Sequence, residues 1–149
     1  RRSLYTFWKR TAPHPAMEIL NAPTREVFCV ARERTNTPLQ AFVTLNDPQF
    51  VEAARRLAER TLAKAGDFET RSDFITLRLL SRRLDDAERS LLRETLEAAT
   101  AAFTADPASA EALITAGEST PAPDLEPVPL AAWTLVASQV FNLDEALNK

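Results

Sequence analysis

One cysteine, one histidine and two glycines are all that this chain of 149 residues holds of the residue types on which most sequence-readable chemistry is built. With Cys29 alone no disulfide can close within the chain, so its stability has to come from packing. Cys29 also has no Cys-x-x-Cys-His context, which excludes covalent attachment of a c-type haem to this segment. His14 lies between Pro13 and Pro15, and transition-metal sites draw on clustered His and Cys that are missing here. The expectation is therefore an exposed loop histidine, no bound metal and no cofactor in this segment. Gly66 and Gly117 each follow a helical pattern, where a terminating glycine belongs, so no loop is left to cradle a phosphate. No apolar run approaches the roughly 20 residues that span a bilayer, and no membrane span is expected. No signal-peptide pattern is present either. The opening Arg1-Arg2, with no methionine, is expected to begin a piece of a longer protein.

Charge is nearly balanced, with 18 basic against 21 acidic residues, so there is no overall pull toward nucleic acid. Its distribution is uneven: the basic excess falls before residue 64, and between Arg93 and Lys149 there is no basic residue. Hydrophobic residues make up 45% of the chain, enough for one domain that buries roughly 70% of its unfolded surface.

The organising stretch is Arg32 to Phe50, where two helix starts fall in succession. Thr37 before Pro38 and Asp47 before Pro48 each pair a capping oxygen with a proline that needs no N–H of its own. Gln40 stands where a capping-box partner of Thr37 belongs. Caps and apolar stripes predict an all-α fold, a helical bundle of about six helices over 38–45, 48–65, 72–81, 86–104, 107–116 and 129–141. In the second of these the stripe of Phe50, Ala54, Leu57, Ala58, Leu62 and Ala65 leaves Arg55, Arg56, Glu59 and Arg60 to fill the remaining surface. Residues 72–80 read as a buried helix, and Ala98, Ala99, Ala101 and Ala102 as a face that a neighbouring helix approaches closely. The helix from Pro129 is apolar enough to be central. Residues 118–129 hold four of the ten prolines and form a surface loop.

Residues 1–34 precede the bundle as an arm. Residues 3–10 are aromatic and β-prone, and Pro15 can open a short helix that Asn21-Ala22-Pro23 ends. Residues 25–34 are either a strand pairing with residues 3–10 or an irregular segment laid over the helices.

Candidate chemistry is sparse. Asp85, Asp86 and Glu88, with Asp144 and Glu145, are expected at helix starts as caps, although an acid/base pair or a hard-cation site has the same composition. Arg34-Thr35-Asn36-Thr37 is the most site-like run, with capping as its ordinary role. Tyr5, Phe7, Trp8, Lys9 and Arg10 mix aromatic rings with cations in a way that stacks bases or sugars, but more often anchors a core. The candidate binding residues are thus Arg34, Asn36, Tyr5, Trp8 and Arg10, with none assigned to catalysis or metal.

Arg2-Ser3-Leu4-Tyr5 with Trp8-Lys9-Arg10-Thr11, Arg34 to Ala41, Leu45-Asn46-Asp47-Pro48 and the closing Asn142-Leu143-Asp144-Glu145 resemble one known family. It is the C-terminal domain of unknown function of large planctomycete and verrucomicrobial proteins, many of which carry a cytochrome-c-like domain near the N-terminus. The resemblance covers nearly the whole chain and implies an exported, periplasmic-type multidomain parent of which this is the C-terminal end. That family offers no catalytic residues to carry over. Two functional expectations follow. In the first the chain is a non-catalytic interaction or scaffolding domain that docks on the remainder of its parent through the basic, aromatic arm. In the second it contributes Arg34, Asn36 and carboxylates of the acidic half to a cleft acting on exported polysaccharide. The first is favoured, because no nucleophile and base stand at recognisable spacing.

Overall fold

The computed structural model describes residues 5–9, 12–64 and 66–148. Eight helices and no strand form among them: α1 (Pro15–Ile19), α2 (Pro38–Asn46), α3 (Pro48–Leu62), α4 (Phe68–Leu79), α5 (Asp86–Ala105), α6 (Pro107–Ile114), α7 (Pro127–Phe141) and α8 (Asp144–Leu147). The protein is an all-α bundle. Its axis is α7, whose Leu130, Ala131, Ala132, Trp133, Val136, Ala137 and Val140 are all buried. So many apolar residues on every face leave a helix no stable place but the centre. Ala54, Leu57 and Ala58 of α3, Ile75 of α4, Leu92 of α5 and Ala110 and Ile114 of α6 close around it in one continuous core. Phe68 meets Trp133 with ring centroids 6.1 Å apart.

The caps at Thr37, Asp47 and Asp85 work as their sequences indicate, whereas Asp144 and Glu145 are not caps: they lie inside α8, whose N-cap Leu143 makes no side-chain capping bond. Thr37 Oγ1 accepts from Gln40 N at 3.2 Å while Gln40 Oε1 accepts from Thr37 N at 3.1 Å, a complete capping box. Asp47 ends α2 and starts α3, accepting from Gln49 N at 2.8 Å, so a single residue turns the chain from one helix to the next.

Several expectations need correction. The helix expected from residue 72 starts one turn earlier, because Asp67 accepts from Thr70 N at 3.0 Å and caps it. Leu77 on this helix is 46% exposed, and its buried side is Ser72, Ile75 and Thr76. The helix expected to run to Gly66 stops at Leu62; Gly66, with φ 149, lies in the turn beyond it. The last long helix begins at Pro127, not Pro129. Of the small residues on α5, Ala99 alone is buried, while Ala98, Ala101 and Ala102 face outward. In the arm, α1 forms as expected, but residues 25–34 are irregular and the described part of 3–10 forms no strand. A single antiparallel bridge joins Lys9 and Ala12. Asn21 (φ 55) and Arg25 (φ 66) are left-handed, and each reverses the chain where a strand would need it extended.

Candidate functional site

The run expected to be most site-like is a hub of neutral hydrogen bonds. Capping places Gln40 one turn into α2, where it is 4% exposed, and its amide satisfies three groups from separate parts of the chain. Oε1 accepts from Thr37 N, while Nε2 donates to Ile19 O at 2.9 Å and Thr35 Oγ1 at 2.8 Å. Thr35 Oγ1 accepts from Asn21 Nδ2 at 2.6 Å, and its carbonyl accepts from Asn148 Nδ2 at 3.2 Å. One turn on, buried Thr44 donates to Asn142 Oδ1 at 2.6 Å. Thr35, Gln40 and Thr44 thereby tie α1 and the end of the arm to α2 and to the C-terminal turn after α7. Buried amides that are fully satisfied fix one arrangement of their elements, since any shift strands a polar group.

A second joint holds the proline-rich loop. Arg55, expected on the surface, is 0% exposed. Its Nη1 donates to Glu59 Oε1 at 2.6 Å, and Nη2 donates to Ser119 O at 2.7 Å and Ser119 Oγ at 2.8 Å. Glu52 accepts from Glu118 N at 2.8 Å and Ser119 N at 3.2 Å, and also from the Ser119 hydroxyl. Those bonds, the Ser119 hydroxyl's foremost, hold the Glu52 carboxyl below its usual range. At Glu59 burial pushes the pKa up, but donors from Arg56, the Ala122 backbone and Arg55 outweigh it and the net direction is down. Gly117, φ 100, lets the loop lie this close: a Cβ there would fall 2.7 Å from Glu52 Cβ. Two carboxylates facing a guanidinium have the composition of a catalytic group. Here Arg55 and Glu52 hold the loop at Glu118 and Ser119, Glu59 accepts from Ala122 N, and the cluster lines none of the grooves described below.

The acidic residues at the other end form a third joint. Arg82, in the turn after α4, donates to both oxygens of Glu88 at 2.7 Å, and its Nε lies 3.1 and 3.0 Å from the oxygens of Glu145. Arg82 draws the Glu88 carboxyl down to about 2, helped by the Asp85 backbone N–H. Asp85 accepts from Glu88 N at 2.8 Å, so this pair is also the capping box of α5. Among the described residues no group of three His, Cys, Asp or Glu is arranged to hold a metal ion.

The five candidate binding residues are dispersed. Arg34 and Asn36 are exposed, and their side chains have no hydrogen-bond or ion-pair partner among the described residues; no acidic pair converges on them. Tyr5 is 76% exposed. Arg10 lies outside the described residues. Trp8 is half-buried, with the Arg25 guanidinium 5.3 Å from its ring centroid. It forms one wall of a groove on the arm, about 570 Å³, together with Met17, Leu20, Arg25, Arg32 and Phe50. Nothing in the linear sequence links Trp8 to Phe50, which is why the groove was not legible there. His14 also lines it, in place of standing free in a loop.

Apolar side chains face outward around this region. Phe7 is 79% exposed, Phe28 93% and Val30 92%. Leu39, Phe42 and Leu45, the apolar stripe of α2, point to solvent while Gln40 and Thr44 point to the core, so α2 is packed inside out.

Fold and joints together define a helical domain wrapped on one apolar helix, with its polar residues spent on holding segments in place. Residues 1–96 match the family described as protein of unknown function (DUF1553), and the chain belongs to that family. No curated protein and no solved structure matches it. Each joint pairs residues inside the matched region with one beyond it: Thr44 with Asn142, Arg55 with Ser119, and Arg82 with Glu145.

Proposed function

We propose that the chain is a non-catalytic interaction domain of an exported, multidomain protein with a cytochrome-c-like part, and that it docks on the remainder of that protein through its N-terminal arm. One observation carries this reading. Thr35, Thr37, Glu88 and Glu145, which stood out in the sequence, are held in internal joints, whereas the arm and α2 present Phe7, Phe28, Val30, Leu39 and Phe42 to solvent. Apolar surface of this kind is costly to leave uncovered, and contiguous patches of it mark partner sites. Arginines and aromatics are also what interface centres enrich. No helix among the described residues is long and apolar enough to cross a membrane. The reading in which the chain serves an active site on polysaccharide has less behind it, because Arg34 and Asn36 meet no carboxylate.

Titrating the chain with the separately expressed remainder of its parent tests the proposal. Saturable binding that weakens when Phe28 and Phe42 are changed to Ser is expected. Absence of binding, or binding indifferent to both substitutions, would refute it.

A further inference from the structure

The groove beside Trp8 has cationic walls. Arg25 and Arg32 both line it, and none of the described residues lining it is acidic. Arg32 makes one hydrogen bond among the described residues, from Nη2 to Leu147 O at 3.3 Å, which leaves most of its fork unused. Arg25 is held at φ 66, a conformation L-residues adopt reluctantly, and that backbone setting brings its guanidinium to the Trp8 ring. The nearby acids do not neutralise this pair. Glu26 lines the adjoining groove with Trp8 and Arg25, and Glu33 lines another with Arg32, yet neither forms an ion pair with either arginine. Met17, Leu20 and Phe50 line the same groove and make part of it apolar.

We infer that this groove receives an acidic peptide segment bearing an aromatic or branched apolar side chain. The inference rests on the docking reading above and names the chemistry by which the partner engages the arm. The apolar side chain seats against Trp8 and Phe50, and carboxylates flanking it meet Arg25 and Arg32, whose planar forks suit bidentate pairing. A volume of about 570 Å³ lies within the span of a specific site for a few side chains. A neutral apolar occupant would strip water from two guanidinium groups and offer nothing in return. A nucleic acid is disfavoured by the net charge of −3 and by the acidic half of the same molecule.

Selection of displayed random peptides against the full chain tests the inference, run in parallel with R25Q/R32Q and with R60Q, an exposed arginine of α3 outside the groove. The wild-type chain and R60Q are expected to enrich sequences in which Asp or Glu flanks Phe, Trp or Leu. R25Q/R32Q, with wild-type circular dichroism, is expected to bind the leading peptide about tenfold or more weakly by fluorescence anisotropy. Changing that peptide's carboxylates to amides should have the same effect. No such enrichment, or binding that survives R25Q/R32Q, overturns the inference. So does a concentration-dependent dimer that the peptide dissociates, which would make a second copy the occupant. If the remainder of the parent binds R25Q/R32Q as well as wild type, the groove assignment falls while the docking reading stands. If peptides enrich as expected and the remainder does not bind, it is the docking reading that fails.

Discussion

Arg55 has no exposed surface and holds a proline-rich loop through Ser119 while paired to Glu59. Removing a guanidinium from such a site strands two loop acceptors at Ser119 and leaves Glu59 with Arg56 and the Ala122 N–H alone, so Arg55→Ala should cost about 3 kcal/mol, as for other broken buried pairs. Arg60→Ala, on the exposed face of the same helix, should stay within about 0.5 kcal/mol. Urea denaturation of both variants checks this; equal effects would show that the clamp adds nothing. Gly117→Ala is expected to destabilise as well, because its Cβ has to displace Glu52. A second residue-scale consequence concerns Glu88, which is held at about 2 against the ordinary 4.5. A carboxyl depressed in the folded state contributes stability that is fully present above the unfolded pKa and is lost as pH falls through the folded one. The stability difference between wild type and Glu88→Gln should therefore be present at pH 6 and shrink as pH falls from 4.5 toward 2. A difference that does not change with pH would mean that Arg82 does not hold Glu88 in solution. The long-range partners were not legible in the sequence, since Arg55 and Ser119, like Arg82 and Glu145, are joined only by the fold.

Among the elements α2 is the anomaly. Its period is helical and its caps are readable, but a reader of the pattern would turn Leu39, Phe42 and Leu45 inward. The helix instead buries Gln40 and Thr44, because hydrogen bonds to Ile19, Thr35 and Asn142 are available only on that side. Leu39→Ser and Phe42→Ser are accordingly expected to change stability by less than about 0.5 kcal/mol, whereas Thr44→Val should cost about 1–3 kcal/mol by stranding Asn142. Thermal melting of the three variants decides it, and large losses from the two exposed positions would mean that α2 packs the other way. Caps are where local sequence speaks most directly, and Thr37→Ala and Asp47→Ala should each cost about 1 kcal/mol. Unchanged melting in both would place the helix starts elsewhere. The start of α4 was missed because Asp67 lacks the following proline that marks Asp47, and its apolar periodicity begins a turn later. In the arm, by contrast, β-prone composition gave way to left-handed residues and prolines, a local geometry that overrides propensity.

For the whole molecule, the bundle around α7 was readable because an all-round apolar helix admits one placement, and Leu57, Ala58, Ile75, Leu92 and Ile114 of its neighbours join it in one core. The candidate site was less readable. Capping chemistry and ligand-binding chemistry use the same residue types, so Thr35 and Thr37 drew notice for an internal role. The groove beside Trp8 is assembled from positions scattered between Thr6 and Phe50. Taken together, the three joints fix a rigid body, and the arm and the outer face of α2 are the surface it leaves for others. Hydrogen–deuterium exchange compared between the intact parent protein and this chain alone tests that claim most directly. The account predicts added protection in the parent confined to residues 5–9, 25–34 and 38–46, with the α7 core unchanged. Identical exchange in those segments, or added protection at the acidic α5–α6 end instead, would contradict it.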